Sequence, residues 1–285
     1  MAEPDDRAFP FLRTNVRQPK PRTQGLTEIR GPYYTPMGPN YLRDVLGTMG
    51  AYVDILKFSG GSFTLMPRSS VAELIDVAHE HQVRVSTGGF LEHVLPQGAE
   101  IVDRTLDEAA DLGFDIVEVS AGFVSLPADD LVRLTEQVLK AGLEAKPEVG
   151  IQFGAGGATA AGELAAEGTR DIGAAIRLAC RHLDAGAHLI MIESEGITES
   201  LTEWRTEAVA AIVDQLGLDK VMFEAADPAV FEWYVKSYGP EVNLFVDHSQ
   251  IVQLESLRSG IWGTKSTWGR VLTYRPIVGG GSSGM

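Results

Sequence analysis

The sequence has little cysteine, a deficit of basic residues and no long apolar run. Its one cysteine, Cys180, excludes an intrachain disulfide bond and is typical of a protein from a reducing compartment. The 24 basic and 39 acidic residues give a formal net charge of −15, which opposes binding to nucleic acid or to an anionic membrane through a basic surface. We therefore expect a small-molecule or protein partner.

No apolar run approaches the roughly 20 residues that a membrane-spanning helix needs. Residues 1–7 are acidic and do not have the apolar centre of a signal peptide. We therefore predict a cytoplasmic protein.

Composition divides the chain into three regions. Residues 1–24 are rich in proline and arginine and have no hydrophobic periodicity, which predicts a basic amino-terminal arm that wraps the body or stays loose. Residues 276–285 are rich in glycine and serine and predict a flexible tail. The 285 residues are 44% hydrophobic, so residues 25–275 are long enough for one α/β barrel, although two small domains would also fit.

From Leu26 onward, short runs rich in β-forming residues alternate with amphipathic helical runs. The eight strand candidates are Leu26–Arg30, Val53–Phe58, Arg84–Thr87, Ile116–Ser120, Leu143–Val149, His188–Glu193, Lys220–Glu224 and Val242–Val246. The helical candidates are Pro39–Met49, Ser69–His81, Ile101–Leu112, Ala128–Ala141, Thr169–Ala185, Glu203–Leu216, Pro228–Tyr238 and Gln250–Ser259. Eight such units predict a closed (β/α)8 TIM barrel. A doubly wound open sheet is the alternative, but residues 30–34 are not the glycine-rich phosphate turn that it requires.

Four glutamates stand at the ends of neighbouring strand candidates: Glu118, Glu148, Glu193 and Glu224. We expect them to converge, because the carboxyl ends of barrel strands meet at one face. Like charges in such a site repel unless a cation or protons neutralise them. A hard divalent cation such as Mg²⁺ prefers oxygen ligands and is the simplest solution. Protonated carboxyl groups are the alternative, and any one of these glutamates alone would be read as a solvated or salt-bridged residue.

Asp54 and Lys57 belong to one buried strand candidate that leads into Gly60-Gly61. Lys57 would stand at the end of its strand, where ligands bind in such folds. We predict a site that contains this charged pair. A structural ion pair under the turn is the alternative.

Glycine-rich turns follow three strand candidates: Gly60-Gly61, Gly88-Gly89 and Gly154-Ala155-Gly156-Gly157. Their backbone N–H groups can approach an anion, although simple turns have the same composition. Near the eighth strand candidate, His248 is the best placed of the 6 histidines for proton transfer. Asp247 or Ser249 could instead cap the last helix.

Several motifs resemble the phosphosulfolactate synthase family, over a stretch from about Gly25 to Thr267. They include Asp54-Ile55-Leu56-Lys57-Phe58, Gly88-Gly89, Glu118-Val119-Ser120, Glu148-Val149-Gly150, Phe223-Glu224-Ala225 and Val242-Asn243-Leu244. Other stretches resemble the plant heat-stress-associated branch of that family: Arg30-Gly31-Pro32-Tyr33-Tyr34, Lys57-Phe58-Ser59-Gly60-Gly61-Ser62 and residues 243–250.

The resemblance implies a (β/α)8 barrel and, as in the archaeal members, Mg²⁺-dependent addition of sulfite to phosphoenolpyruvate. We accordingly expect a small anionic substrate and a lyase. The expected Mg²⁺ ligands are Glu148, Glu193 and Glu224; the expected catalytic residues are Lys57, Glu118 and His248; and the expected substrate contacts are Arg30, Asp54, Gly88, Gly89 and Asn243. Barrels commonly associate through their helical faces, so a homo-oligomer stays open.

The chain departs from the archaeal pattern where that pattern has charged residues. Ile151 and Gln152 stand in place of lysines, Glu195 in place of an arginine and Ala121 in place of an aspartate. A trianionic substrate and sulfite need cationic partners, so Arg30 and the basic arm would have to replace the missing ones. Two alternatives therefore stay open: a lyase that acts on a less anionic substrate, and a non-catalytic barrel that protects against stress through protein partners.

Overall fold

Eight parallel strands close into a barrel, and each strand pairs with the next one along the chain, with β8 returning to β1. The computed structural model describes residues 8–15, 17–157, 159–168, 171–225, 227–261, 263 and 266–274. The strands are β1 Thr27–Arg30, β2 Ile55–Lys57, β3 Arg84–Ser86, β4 Ile116–Val119, β5 Glu144–Val149, β6 Ile190–Ile192, β7 Val221–Glu224 and β8 Asn243–Asp247. The predicted (β/α)8 barrel is confirmed, and the open sheet is excluded.

The helices of the described residues surround this barrel. They are α1 Pro39–Met49, α2 Arg68–Glu80, α3 Leu91–Val94, α4 Ala99–Leu112, α5 Ala128–Lys140, α6 Ala161–Glu167, α7 Ile172–Asp184, α8 Thr206–Leu216, α9 Pro228–Tyr238 and α10 Ile251–Arg258. The bounds of α1 and α9 were predicted correctly because a proline occupies the first turn of each, where it needs no hydrogen-bond donor. The sequence did not predict α3 and α6, which are too short to show a helical period and lie in the β3–α4 and β5–α7 connections.

Two apolar clusters fill the structure on the two sides of the sheet. The large cluster lies between the strands and the helices and includes Leu56, Val246 and Leu42. The small one, inside the barrel, consists of Leu26, Ile55, Ile116, Leu189, Met191, Met222 and Phe245. Because side chains alternate across a strand, Lys57 and Glu118 share the inner face with Ile55 and Ile116. The interior is therefore apolar in one layer and charged in the layers around it.

Residues 8–15 and 17–24, which belong to the predicted arm, contain neither helix nor strand. The Lys20 amine donates hydrogen bonds to the carbonyl oxygens of His81 and Gln82, at 3.1 and 3.3 Å. The predicted tail, residues 276–285, lies outside the described residues. Within the described ranges, each helix is too short or too polar to cross a bilayer.

Candidate active site

A cavity of about 500 Å³ opens at the carboxyl-terminal end of the barrel, which we call the mouth. Its lining includes seven glutamates and two strongly basic side chains: Glu92, Glu118, Glu148, Glu193, Glu195, Glu199, Glu224, Arg30 and Lys57. The predicted convergence of the four strand-end glutamates is therefore seen in the structure. The mouth is a strongly acidic cavity around one buried lysine.

A series of buried ion pairs extends from the middle of the barrel to the mouth. The Lys146 amine lies 2.5 Å from both carboxylate oxygens of Glu28 and 3.2 Å from Oε2 of Glu118. The Lys57 amine lies 2.9 Å from Oε1 of Glu118 and 3.7 Å from Oε2 of Glu148. Glu118 is thus held between two lysines, and it fixes the position of the Lys57 amine at the base of the cavity.

These ion pairs shift the pKa of Lys57 and of Glu118 in opposite directions. Burial opposes the charge on Lys57, but the carboxylates around it, Glu118 and Glu148 first, outweigh that effect and raise the pKa of Lys57. Burial also opposes the charge on Glu118, yet Lys57 and Lys146 together lower the pKa of this carboxyl group. Both shifts favour an ammonium–carboxylate pair between Lys57 and Glu118 inside the barrel.

The other mouth glutamates are not balanced in this way. Burial, the neighbouring carboxylates and, for Glu148, the charge of Glu118 raise the pKa of Glu148 and of Glu193 well above 4.5. Burial also raises the pKa of Glu224, although Lys57 and Arg30 work against it. These three groups retain protons at higher pH than a free carboxyl group does, or they need a cation.

Arg30 is already engaged on the opposite wall of the cavity. One of its terminal nitrogens lies 2.9 Å from Oε1 of Glu224. Its guanidinium group lies 5.1 Å from the ring centres of both Tyr34 and Phe245. An anionic ligand would have to compete with Glu224 for this cation.

The residues of the mouth fit Mg²⁺ only with ligands from elsewhere. Within the described residues, no group of three His, Cys, Asp or Glu side chains is arranged to hold a metal ion by itself. However, a Cβ added at Gly156 would lie 2.9 Å from Oε2 of Glu193 and 3.8 Å from Oε1 of Glu148, so two carboxylates approach one point. Mg²⁺ is usually bound through one or two carboxylates together with water and substrate oxygens. The donor set matches that chemistry.

Gly88 and Gly89 leave room for the two central charged residues. A Cβ at Gly88, whose φ is +61°, would lie 2.7 Å from the carbonyl oxygen of Phe58 and 3.2 Å from the Lys57 side chain. A Cβ at Gly89 would lie 2.8 Å from Oγ of Ser120 and 3.7 Å from Oε1 of Glu118. The close packing around both positions therefore explains why they are glycines. That they contact the substrate stays a prediction.

Glu195 was not predicted as a site residue, although it follows β6 in a Glu-Ser-Glu sequence that repeats the charge of Glu193. Its Oε2 accepts a hydrogen bond from the N–H of Gly156, and its Oε1 accepts one from the N–H of Thr159, both at 2.8 Å. A carboxylate of the protein itself therefore takes the Gly156 N–H of the predicted anion-binding turn at 154–157 and the Thr159 N–H that follows it.

Ile151 and Gln152, which replace the basic residues that the resemblance implies, are also structural. Both are buried, and Ile151 belongs to the large apolar cluster. The Gln152 amide donates to the carbonyl oxygens of Leu164 and Gly168, at 2.9 and 3.2 Å. These side chains anchor the β5–α6 loop and do not line the mouth cavity.

Asp54 and Asn243 lie at the amino-terminal end of the barrel, which we call the floor. Asp54 accepts a hydrogen bond from the N–H of Thr27 at 2.8 Å and pairs with Arg22. Asn243 bonds to the backbone of Leu26, Leu218 and Val221. The prediction that these two residues share one end with Lys57 is wrong, because three residues of strand separate Asp54 from Lys57 by roughly 10 Å.

The basic arm does not supply the mouth with cations either. Arg17 pairs with Glu255, and Arg22 bonds to Ala51 and Asp54 around the floor. The suggestion that these arginines replace the missing cations of the mouth is therefore wrong for the described part of the arm. Of the predicted replacements, Arg30 is the one that the structure brings to the mouth.

His248 lies beside the mouth rather than in it. It lines an adjoining cavity of about 920 Å³, which shares Arg30 and Glu224 with the mouth cavity. Its Nδ1 lies 3.0 Å from the carbonyl oxygen of Arg30, to which it donates, and its Nε2 lies 3.1 Å from the Tyr41 hydroxyl. Its role in proton transfer stays a prediction.

The fold and the site define a (β/α)8 barrel with its candidate active site at the carboxyl ends of the strands. The chain belongs to the (2R)-phospho-3-sulfolactate synthase (ComA) family, whose model matches residues 15–264. This confirms the family resemblance of the motifs.

Two relatives show how the family likeness extends along the chain. The chain is 40% identical over 258 residues to Protein HEAT-STRESS-ASSOCIATED 32 of Arabidopsis thaliana. The aligned region covers 87% of this chain and 90% of the relative. It is 29% identical over 273 residues to the phosphosulfolactate synthase of Methanothermobacter thermautotrophicus. This aligned region covers 93% of this chain and 98% of that protein. The resemblance to the plant branch is thereby confirmed as well.

A solved structure with low sequence identity shares the fold. The carboxyl transferase domain of Rhizobium etli pyruvate carboxylase with 3-bromopyruvate superimposes with a TM-score of 0.56 at 14% identity. The match covers 88% of this chain and 46% of that chain. At this identity the likeness shows the barrel fold alone.

Proposed function

We propose that this chain is a lyase of the phosphosulfolactate synthase type, which adds sulfite to phosphoenolpyruvate with the help of Mg²⁺ or forms a related carbon–heteroatom bond. The observation that supports this proposal is the Lys57–Glu118 pair, 2.9 Å apart, at the base of a cavity lined by further glutamates. Family membership supports a reaction of this class, and the buried pair supports Lys57 as the residue around which it would take place.

In the proposed reaction, the sulfur lone pair of sulfite forms a bond to the methylene carbon of phosphoenolpyruvate. The electrons of the carbon–carbon double bond move towards the carbon next to the carboxylate, and that carbon takes up a proton. The reaction therefore needs a cation beside the carboxylate and a proton donor near the adjacent carbon.

Lys57 supplies the fixed charge and the proton in this scheme. Glu118, which also pairs with Lys146, holds the Lys57 amine, so the proposed proton donor stands at a defined place at the base of the cavity. Glu148, Glu193 and Glu224 would hold Mg²⁺ together with oxygens of the substrate. When bound, Mg²⁺ would stabilise charge on the substrate carboxylate and neutralise glutamates that now raise the pKa of Lys57.

A second candidate is a lyase of the same family that acts on a less anionic substrate. Glu195 favours it, because its carboxylate occupies the N–H groups of Gly156 and Thr159. The two strongly basic residues that line the mouth are also paired already, Lys57 with Glu118 and Arg30 with Glu224. A substrate with fewer negative charges would meet less repulsion in this cavity.

The test is to incubate purified protein with Mg²⁺, phosphoenolpyruvate and sulfite and to follow the products by ³¹P NMR. We expect a new phosphorus resonance whose rate of appearance falls at least about 100-fold in Lys57→Met. Lys140→Met, which alters an exposed lysine on α5, is the matched control and should match the wild type.

Folding of each variant is checked by circular dichroism. No product from a folded, Mg²⁺-loaded wild type would reject the sulfite reaction and favour the second candidate. Undiminished turnover in Lys57→Met would reject the role given to Lys57.

A further inference from the structure

We propose that Glu195 is a specificity-determining residue whose carboxylate fills an anion-binding turn in the β5–α6 loop, so that the substrate places no phosphate or sulfonate group there. The inference rests on the proposed function in one respect, that the mouth is where the substrate binds. It adds what the substrate must lack on the β5 side of the cavity.

The turn has the backbone geometry of an anion site. Gly154 and Gly156 have φ values of +78° and +103°, in the left-handed region that glycine adopts without a steric penalty. Two N–H groups of this loop, from Gly156 and Thr159, donate to the two carboxylate oxygens of Glu195 at 2.8 Å each. Two N–H···O bonds to two oxygens of one anion are what a phosphate or sulfonate could also accept in the same place.

Glu195 is built into the structure rather than placed there by a flexible surface chain. Glu195 is only 2% exposed to solvent. The backbone N–H of Glu195 donates to Oε1 of Glu193 at 2.9 Å, which ties it to the wall of the mouth. A substrate anion would have to displace a buried carboxylate with both oxygens already bonded.

The turn also lies directly beside the carboxylates of the mouth. The close approach of Gly156 to Glu193 and Glu148 means that an anion on the turn would face these two side chains. With Glu195 present, three glutamates surround this side of the cavity. A phosphate or sulfonate group of the substrate must therefore bind elsewhere in the described mouth. Besides Lys57 at the base of the cavity, the strongly basic side chain there is Arg30, which pairs with Glu224.

The test measures binding of inorganic phosphate to the full chain by calorimetry and locates it by crystallography. Glu195→Ala empties the turn, whereas Glu195→Gln removes the charge but keeps a side chain in it. Glu199→Ala is the matched control, because Glu199 lines the same cavity without touching the turn and its carboxylate instead accepts from the Ser194 hydroxyl.

We expect Glu195→Ala to bind phosphate about tenfold more tightly than the wild type, with phosphate on the N–H groups of Gly156 and Thr159. Glu195→Gln and Glu199→Ala should stay within about threefold of the wild type. An equal gain in Glu199→Ala would show that only the total charge of the mouth matters and would overturn the proposal.

The wild type provides a measurement that does not depend on the folding of a variant. In crystals soaked with saturating phosphate, Glu195 should remain on the two N–H groups. Phosphate on those groups with Glu195 displaced would overturn the proposal. Neither readout requires turnover, so failure of the sulfite reaction and failure of this inference are separate outcomes.

Discussion

The floor and the mouth of this barrel both bury charged side chains, and they treat them in opposite ways. At the floor, Arg258 donates to Oγ1 of Thr27 and to the carbonyl oxygen of Val242, at 2.7 and 2.6 Å, and Asp54 pairs with Arg22. At the mouth, seven glutamates meet two strongly basic residues. At the mouth the carboxylates therefore outnumber the strongly basic side chains, whereas at the floor Asp54 and Arg22 balance each other.

This difference separates stability from chemistry. A buried charge that is bonded to fixed partners holds the structure together once it is formed, and removing one partner is costly. Crowded carboxylates with raised pKa values instead oppose folding at neutral pH, because the cost of burying their charge and their mutual repulsion are not compensated. We therefore expect changes at the floor to affect stability, and changes at the mouth to affect ligand binding and pH dependence.

The largest expected effect is at the floor, in Arg258→Met. The change keeps an apolar stem but leaves the oxygens of Thr27 and Val242 without their buried donor. We expect the free energy of unfolding to fall by about 3 to 5 kcal/mol, measured by urea denaturation. Arg270→Met, at an exposed position, should change it by less than about 0.5 kcal/mol. A loss of similar size in both variants would contradict the role of the floor.

A smaller effect is expected at the mouth when pH changes. The pKa of Glu148 and of Glu193 lies above 4.5 in the folded state, so between 4.5 and those raised values the folded protein binds more protons than the unfolded one. Stability should therefore fall as pH rises through this window. Glu118, whose pKa is lowered, acts oppositely and loses its contribution as pH falls below 4.5.

Thermal unfolding at a series of pH values measures this effect. We expect the Tm without Mg²⁺ to decline from about pH 5 to about pH 8, and to decline less in Glu148→Gln. Mg²⁺ should raise the Tm more at the higher pH, since its ligands must be deprotonated. Glu136→Gln, exposed on α5, is the control. A wild-type Tm that is constant across this range would refute the crowding of the mouth.

The smallest effect on the site is expected from Asp54→Asn, which keeps an acceptor for the Thr27 N–H but removes the charge beside Arg22. Stability should fall by about 1 to 2 kcal/mol in urea denaturation. Mg²⁺ affinity at the mouth, measured by calorimetry, should stay within about twofold, because the two ends are separated by the length of the barrel. A large loss of Mg²⁺ affinity at unchanged stability would indicate that Asp54 does contribute to the site at the mouth.

Much of the fold and part of the site could be predicted from local sequence. Alternating strand and helix patterns sufficed for the barrel, and the position of Glu118, Glu148, Glu193 and Glu224 near strand ends sufficed for their convergence. Lys146 was overlooked, although it shares strand parity with Glu148 and therefore faces the same interior. The error on Asp54 had a signal too, since the rise per residue of a strand separates it from Lys57.

The sequence by itself determined the order of the elements, the closure of the barrel and the excess of acid at one end, because these follow from periodicity and composition. Tertiary structure decided which charges are paired. The Glu118 carboxylate meets Lys57 and Lys146, and Glu195 meets the turn at Gly156, through contacts between segments far apart in the chain. Such pairings depend on strand register and loop path, which no local pattern encodes, and they set both the protonation of the mouth and the room left for a substrate.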